Sequence, residues 1–130
     1  MSVRSEVAAK LKADNPTFTV KAHPVSAPDA IPTGKVWINV YRESFKVADS
    51  NGYITHNLKV SVAIPKTNSE AAENELDAAV DAVMLSLESM NDVFWQEATR
   101  NILGDKFEAY EISLQAVRPQ IYKSQLLTNS

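Results

Sequence analysis

Residues 36–64 read VWINVYRESFKVADSNGYITHNLKVSVAI, and the alternation inside this stretch decides the fold. Asn51-Gly52 stands between two runs rich in Val, Ile, Tyr and Thr, the strongest short-range signal for a β-hairpin. A two-residue turn there sets Phe45 across from Leu58 and Val47 across from His56. The apolar phase of the first strand changes along its length, from Val36, Ile38 and Val40 to Phe45 and Val47, whereas Leu58, Val60, Val62 and Ile64 hold one phase throughout. One extra residue bulged within Tyr41–Glu43 repairs the mismatch, setting Val40 against Val62 and Ile38 against Ile64. Each strand then runs about 12 residues, roughly 40 Å at about 3.3 Å per residue and twice the usual length. Such a ribbon is expected to overhang its own sheet. Its tip, with Asp49, Asn51 and Tyr53, then either meets a neighbouring subunit or stands solvated.

Outward from the hairpin, Thr67 or Ser69 is positioned to cap a helix, with Glu70 three residues after Thr67 as a capping box requires. Leu76, Val80, Val83 and Leu87, flanked by Ala72, Ala79 and Met90, fall on one stripe at about 100° per residue and predict the face that packs on the sheet. Glu70, Glu73, Asp77, Asp81 and Glu88 fall along an adjacent stripe, and the sequence has no Lys or Arg between Lys66 and Arg100. Glu70 and Glu73 suit the positive end of the helix dipole, while the later carboxylates repel one another. Leu85 points outward. The strip reads as a solvated face, as a surface for a basic partner, or as the lining of a passage for a polyanion.

Before the hairpin, Val3, Val7 and Leu11 recur every four residues beside Ala8, which predicts a short amphipathic helix ended by Asp14-Asn15-Pro16. Phe18, Val20 and Ala22 then alternate as a half-buried strand. From His23 to Lys35, three prolines and Gly34 forbid both ladder and helix and leave an extended loop, a candidate contact segment. After Met90 the period returns to two. Val93–Ile102 and Phe107–Val117, joined at Gly104-Asp105, predict a second hairpin with Tyr110, Ile112, Leu114 and Ala116 on one face. Arg118-Pro119 closes the ladder. The expected organisation is one α+β domain over residues 1–118, with a mixed, mainly antiparallel sheet of about four to five strands, a long bulged hairpin and two packed helices. Residues 119–130 form a tail whose Ile121, Tyr122, Leu126 and Leu127 suit docking on a partner.

Composition narrows the function. At 130 residues, 45% apolar and 22% charged, the chain fits one soluble core, and no apolar run is long enough for a membrane-spanning helix. The opening Met1-Ser2-Val3-Arg4-Ser5-Glu6 carries charge where a signal peptide needs an apolar core, so export by that route is not expected. Zero cysteines exclude disulfides, thiolate catalysis and sulfur-ligated metal, and a net charge of -3 gives no general attraction to nucleic acid. His23 and His56 stand in no metal-ligating spacing with carboxylates. Carboxylates spaced along a helix lack the loop that wraps a hard cation, and three glycines make no phosphate loop. No catalytic residue, cofactor or metal is expected, and the chain reads as a surface that assembles.

The opening Val3–Leu11 helix, the Phe18-Thr19-Val20 strand, the loop ending Ile31-Pro32 before Val36-Trp37-Ile38-Asn39-Val40-Tyr41-Arg42, and the closing Phe107-Glu108-Ala109-Tyr110-Glu111-Ile112-Ser113-Leu114 together resemble the tail terminator proteins of long-tailed bacteriophages. The resemblance lies in layout over nearly the whole chain. It implies a virion protein without an active site, made in the host cytoplasm and placed at the head–tail junction. There it would close into a ring, expected to be a hexamer, stop growth of the tail tube, and offer a surface to the head connector. DNA would pass through its channel without specific binding. Head-to-tail rings need two unlike surfaces, which the acidic helix and the basic residues Lys10, Lys12, Arg42, Lys46 and Lys59 would supply. The candidate contact residues are Glu73, Asp77, Asp81, Leu85 and Glu88 on the helix, Asp49, Asn51 and Tyr53 at the tip, Arg42 and Lys46 on the ribbon, and Arg118 and Tyr122 at the tail. The rival readings are a small ligand-binding or enzymatic α+β domain, with a pocket between helix and sheet, and a non-viral homo-oligomeric adaptor.

Overall fold

The chain folds, in a computed structural model that describes residues 2–23, 28, 30–49, 52–65, 69–104 and 106–120, as two helices on one face of a five-stranded sheet. Helix α1 spans Val3–Asp14 and α2 spans Glu70–Glu88; the strands are β1 Thr19–Lys21, β2 Trp37–Val47, β3 Tyr53–Ala63, β4 Val93–Leu103 and β5 Phe107–Pro119. In space the order is β1-β2-β3-β5-β4, with β1 parallel to β2 and every other pair antiparallel. This is the mixed, mainly antiparallel α+β architecture that the sequence predicts.

Helix ends follow local chemistry. Ser2 caps α1 by accepting a hydrogen bond from the Ser5 amide, and Asn15, ahead of Pro16, ends it. Ser69, not Thr67, is the N-cap of α2: its hydroxyl accepts from the Ala72 amide at 3.0 Å. Thr67 itself lies outside the described residues. The third helical residue after the Ser69 cap is Ala72, which has no side chain to return the bond, so the capping box does not form there.

The core sits between the helices and the sheet. Val3, Val7 and Leu11 of α1, and Leu76, Ala79, Val80, Val83 and Leu87 of α2, pack on Ile38, Val40, Leu58, Val60, Val62, Ile112, Leu114 and Ala116. Each fully buried aliphatic side chain in this layer contributes about 1.5–3 kcal/mol. A smaller cluster lies on the opposite face, where Ile31 covers Trp37, Ala63, Phe107 and Ala109. The Pro-rich segment is therefore not wholly a free contact loop. Ile31 fastens it to the back of the sheet, and the His23 carbonyl accepts a hydrogen bond from the buried Asn39 amide. Residues 24–27 and 29 of that loop lie outside the described residues.

The bulge forms where the change of phase demands it, with the register shifting between Arg42 and Ser44 and leaving Glu43 as the extra residue. The pairs themselves differ from the expected ones by a two-residue slide. Phe45 faces His56 and not Leu58, Val47 faces Ile54 and not His56, Val40 faces Val60, and Ile38 faces Val62. The slide arises at the turn. The Ala48 amide bonds the Tyr53 carbonyl at 3.0 Å, so the connection is the four positions 49–52, with Asn51 outside the described residues and Gly52 at a φ of +84°. A slide of two residues preserves which side chains face the core, and so the alternation alone does not distinguish the two registers.

A second correction concerns the overhang. The hairpin does not leave its sheet as a two-stranded ribbon, because β5 follows β3 to the tip: Tyr53 pairs with Pro119, and the Gln120 amide bonds the Gly52 carbonyl. What overhangs is β2. It is buried from Trp37 to Val40 and exposed from Arg42 to Val47.

Candidate assembly surface

Among the described residues the sheet has two open edges. On one side β1 covers β2 only from Trp37 to Asn39, so positions 41–47 are paired by β3 alone. On the other side β4 is bonded, among the described residues, to β5 alone and is exposed at most positions. The two edges stand three strand spacings apart, roughly 14 Å. Each carries one bulge, Glu43 in β2 and Gln96 in β4.

Large apolar side chains gather on these edges. Phe45 is 46% and Val47 71% exposed on β2, while Phe94 and Ile102 are each 56% and Trp95 43% exposed on β4. Tyr53 is exposed at the tip of β3, next to the connection that contains Asp49. On α2, Leu85 is 74% exposed, the outward position read from the helix period. A solvated edge strand is ordinarily protected by charge and by short length, and side chains of this size add apolar surface where a second chain can reach.

The charges sort into those the fold consumes and those it leaves. Arg100 of β4 clamps Glu73, donating from Nη1 at 2.9 Å and from Nη2 at 2.5 Å, and also donates to Glu108 at 2.7 Å. The bond to Arg100 holds the Glu73 carboxyl below its usual range, and the bonds to Glu73 and Glu108 raise the guanidinium further. Glu88, at the far end of the strip, accepts from the Trp95 indole at 2.7 Å. The strip is thus not a uniform acidic face, since Glu73 and Glu88 are fastened to β4. Asp77 and Asp81 between them are exposed, with no ion pair among the described residues, and run alongside the β4 edge.

The basic side chains divide in the same way. Lys10 pairs with Asp14 at 3.3 Å, Lys12 donates to the Pro16 and Phe18 carbonyls, and Lys59 donates to Ser113 at 2.7 Å while approaching Glu111 and Glu43. Arg118 is an internal anchor and not a free contact residue, because it pairs with Glu6 of α1 and with Asp92. Arg42 and Lys46 remain on the β2 edge. Arg42 lies 4.1 Å over the Phe45 ring and donates to His56 Nδ1 at 3.3 Å, and Phe45 stacks on the His56 ring at 5.9 Å. Partial burial first, then Arg42 and Arg118, lower the His56 pKa and favour the neutral ring.

Of the residues expected from the sequence, then, Arg42 and Lys46 come together with exposed Phe45 and Val47 on one edge, and Asp77 and Asp81 lie beside the other. Glu73, Glu88 and Arg118 are absorbed into internal pairs, Asp49 and Tyr53 lie at the tip, and Asn51 and Tyr122 lie outside the described residues. The β4 edge residues Phe94, Trp95, Glu97 and Ile102 were missing from the expected set. The sequence marks Val93–Ile102 only as a strand rich in β-formers, and the strand order is what places it at an edge. Shallow recesses line Ser2, Val3, Arg4 and Arg42, and separately Lys10, Asp14, Asn15, Leu85 and Ser86. Compared with known proteins, the chain matches no family model, and no curated protein matches it in sequence.

Proposed function

We propose that this chain is a structural subunit that assembles with copies of itself into a ring on the end of a phage tail tube, ends tube polymerisation, and presents a surface to the head connector. The observation that carries the reading is the pair of long and unlike sheet edges, open among the described residues and bearing exposed Phe45, Val47, Phe94, Trp95 and Ile102. Exposed apolar groups of this kind favour protein contacts over solvation. The layout of helix, strand, Pro-rich loop, bulged hairpin, helix and closing hairpin supports it as well, since that order is what the resemblance to tail terminators rests on. The space between helices and sheet is filled by aliphatic side chains, which favours a surface role over a pocket there.

The test is reconstitution with a tail tube protein from the same genome. Tubes grown with the purified chain are expected to stop at a fixed length and carry a ring at one end in electron micrographs, and then to join heads. Tubes that continue to lengthen, bare at both ends, would remove this function.

A further inference from the structure

We infer that the β2 edge of one copy docks on the β4 edge of the next, head to tail, with Phe45 and Val47 as apolar anchors on one side and Trp95 and Ile102 on the other. The inference deepens the ring reading and rests on it for its biological setting. Three observations point to a second copy of this chain as the occupant. Among the described residues both edges are open, over roughly 23 Å for positions 41–47 of β2 and roughly 36 Å for the 11 residues of β4 at about 3.3 Å per residue, so the longer edge can seat the shorter. Both carry exposed apolar side chains on the face that the helices cover elsewhere. Their residual charges are opposite: Arg42 and Lys46 on the β2 side, Glu97, Asp77 and Asp81 on the β4 side.

The charge pattern also sets the geometry. Pairing like edges about a two-fold axis would bring Arg42 and Lys46 against themselves, or Asp77 and Asp81 against themselves, which is disfavoured. Unlike edges attract, and a heterologous contact of that kind propagates into a closed ring or a filament. The bulges at Glu43 and Gln96 interrupt each edge ladder and so limit indiscriminate strand addition. Selectivity then falls to the side chains.

Zero native cysteines make the test direct. Ser44→Cys and Thr99→Cys place single thiols on the two edges at exposed positions of the helix-free face. Mixed at high protein concentration with a short bismaleimide, the two variants are expected to give at least a tenfold higher yield of cross-linked dimer than either alone. A double variant should give a ladder of multimers. Adding R42E and K46E to the Ser44→Cys chain should cut the mixed dimer at least tenfold, and adding D77K and D81K to the Thr99→Cys partner should restore it. Equal cross-linking by one variant alone, absence of the mixed dimer, or a yield indifferent to the charge exchange would each overturn the inference. Unchanged thermal unfolding of every variant confirms that the surface alone was altered. Edge cross-linking in a chain that leaves tail tubes growing would sink the tube-capping function and keep this contact; capped tubes without edge cross-linking would do the reverse.

Discussion

At the residue scale, His56 has an environment that disfavours its charged form and so couples folding to pH. In sequence it is a lone strand histidine, and nothing within several positions marks it. In the fold it sits under Phe45, beside Arg42 and within the field of Arg118, with burial the largest influence on it. Each of these disfavours the imidazolium, so the folded pKa lies below the ordinary 6.5 and the unfolded chain takes up the proton first. Stability from this site is therefore full above about 6.5 and is lost as pH falls through that value toward the folded pKa. The melting temperature is expected to drop between pH 7.5 and 5.5, and His56→Gln should flatten the drop over that window. An equally steep profile in the variant would show that other groups govern it.

At the scale of elements, the bulge in β2 is the feature in which sequence and structure agree most closely. Val40 and Phe45 are five positions apart and both face the helix side, which a regular strand forbids and one extra residue permits. Deleting Glu43 is expected to join Arg42 directly to Ser44 with the pairs on both sides unchanged. The cost is then about 1 kcal/mol or less, since an exposed residue and a 3.9 Å approach to Lys59 are all that is lost. Deleting Lys59 instead makes Leu58 and Val60, both fully buried, direct neighbours in the strand, and one must turn to solvent. That variant should fail to fold. Circular dichroism and thermal unfolding of the two deletions check the contrast, and similar behaviour of the pair would refute the assignment of Glu43 as the extra residue.

For the molecule as a whole, the ladder of β5 ends at Pro119 and the Gln120 amide closes it onto Gly52. The ladders of the sheet among the described residues are complete by Gln120, and the chain truncated after it, without residues 121–130, is expected to unfold at the same temperature within a few degrees. In the ring reading those residues serve the joining of tails to heads, so the same truncation should lower head attachment while tubes still stop at fixed length. Normal attachment would take the tail out of the contact set and leave the edges as the assembly surface.

Local sequence by itself determined the elements. Alternation at period two and period 3.6, Ser and Asn at the helix ends, and the shifted phase in β2 identify both helices, all five strands, the bulge, the apolar stripe of α2 and the outward Leu85, because each depends on residues a few positions apart. Only the tertiary structure decided the register of the long hairpin, since a two-residue slide leaves every side chain on the same face. Strand order was equally illegible: placing β5 between β3 and β4 makes β4 an open edge and brings Arg100 to Glu73 and Trp95 to Glu88. That is why an acidic strip continuous in sequence loses Glu73 and Glu88 to partners on β4, while Glu70, Asp77 and Asp81 stay exposed. Charges are neutralised by partners distant along the chain and near in space, and which of them remain for a second molecule is settled once the sheet has chosen its neighbours.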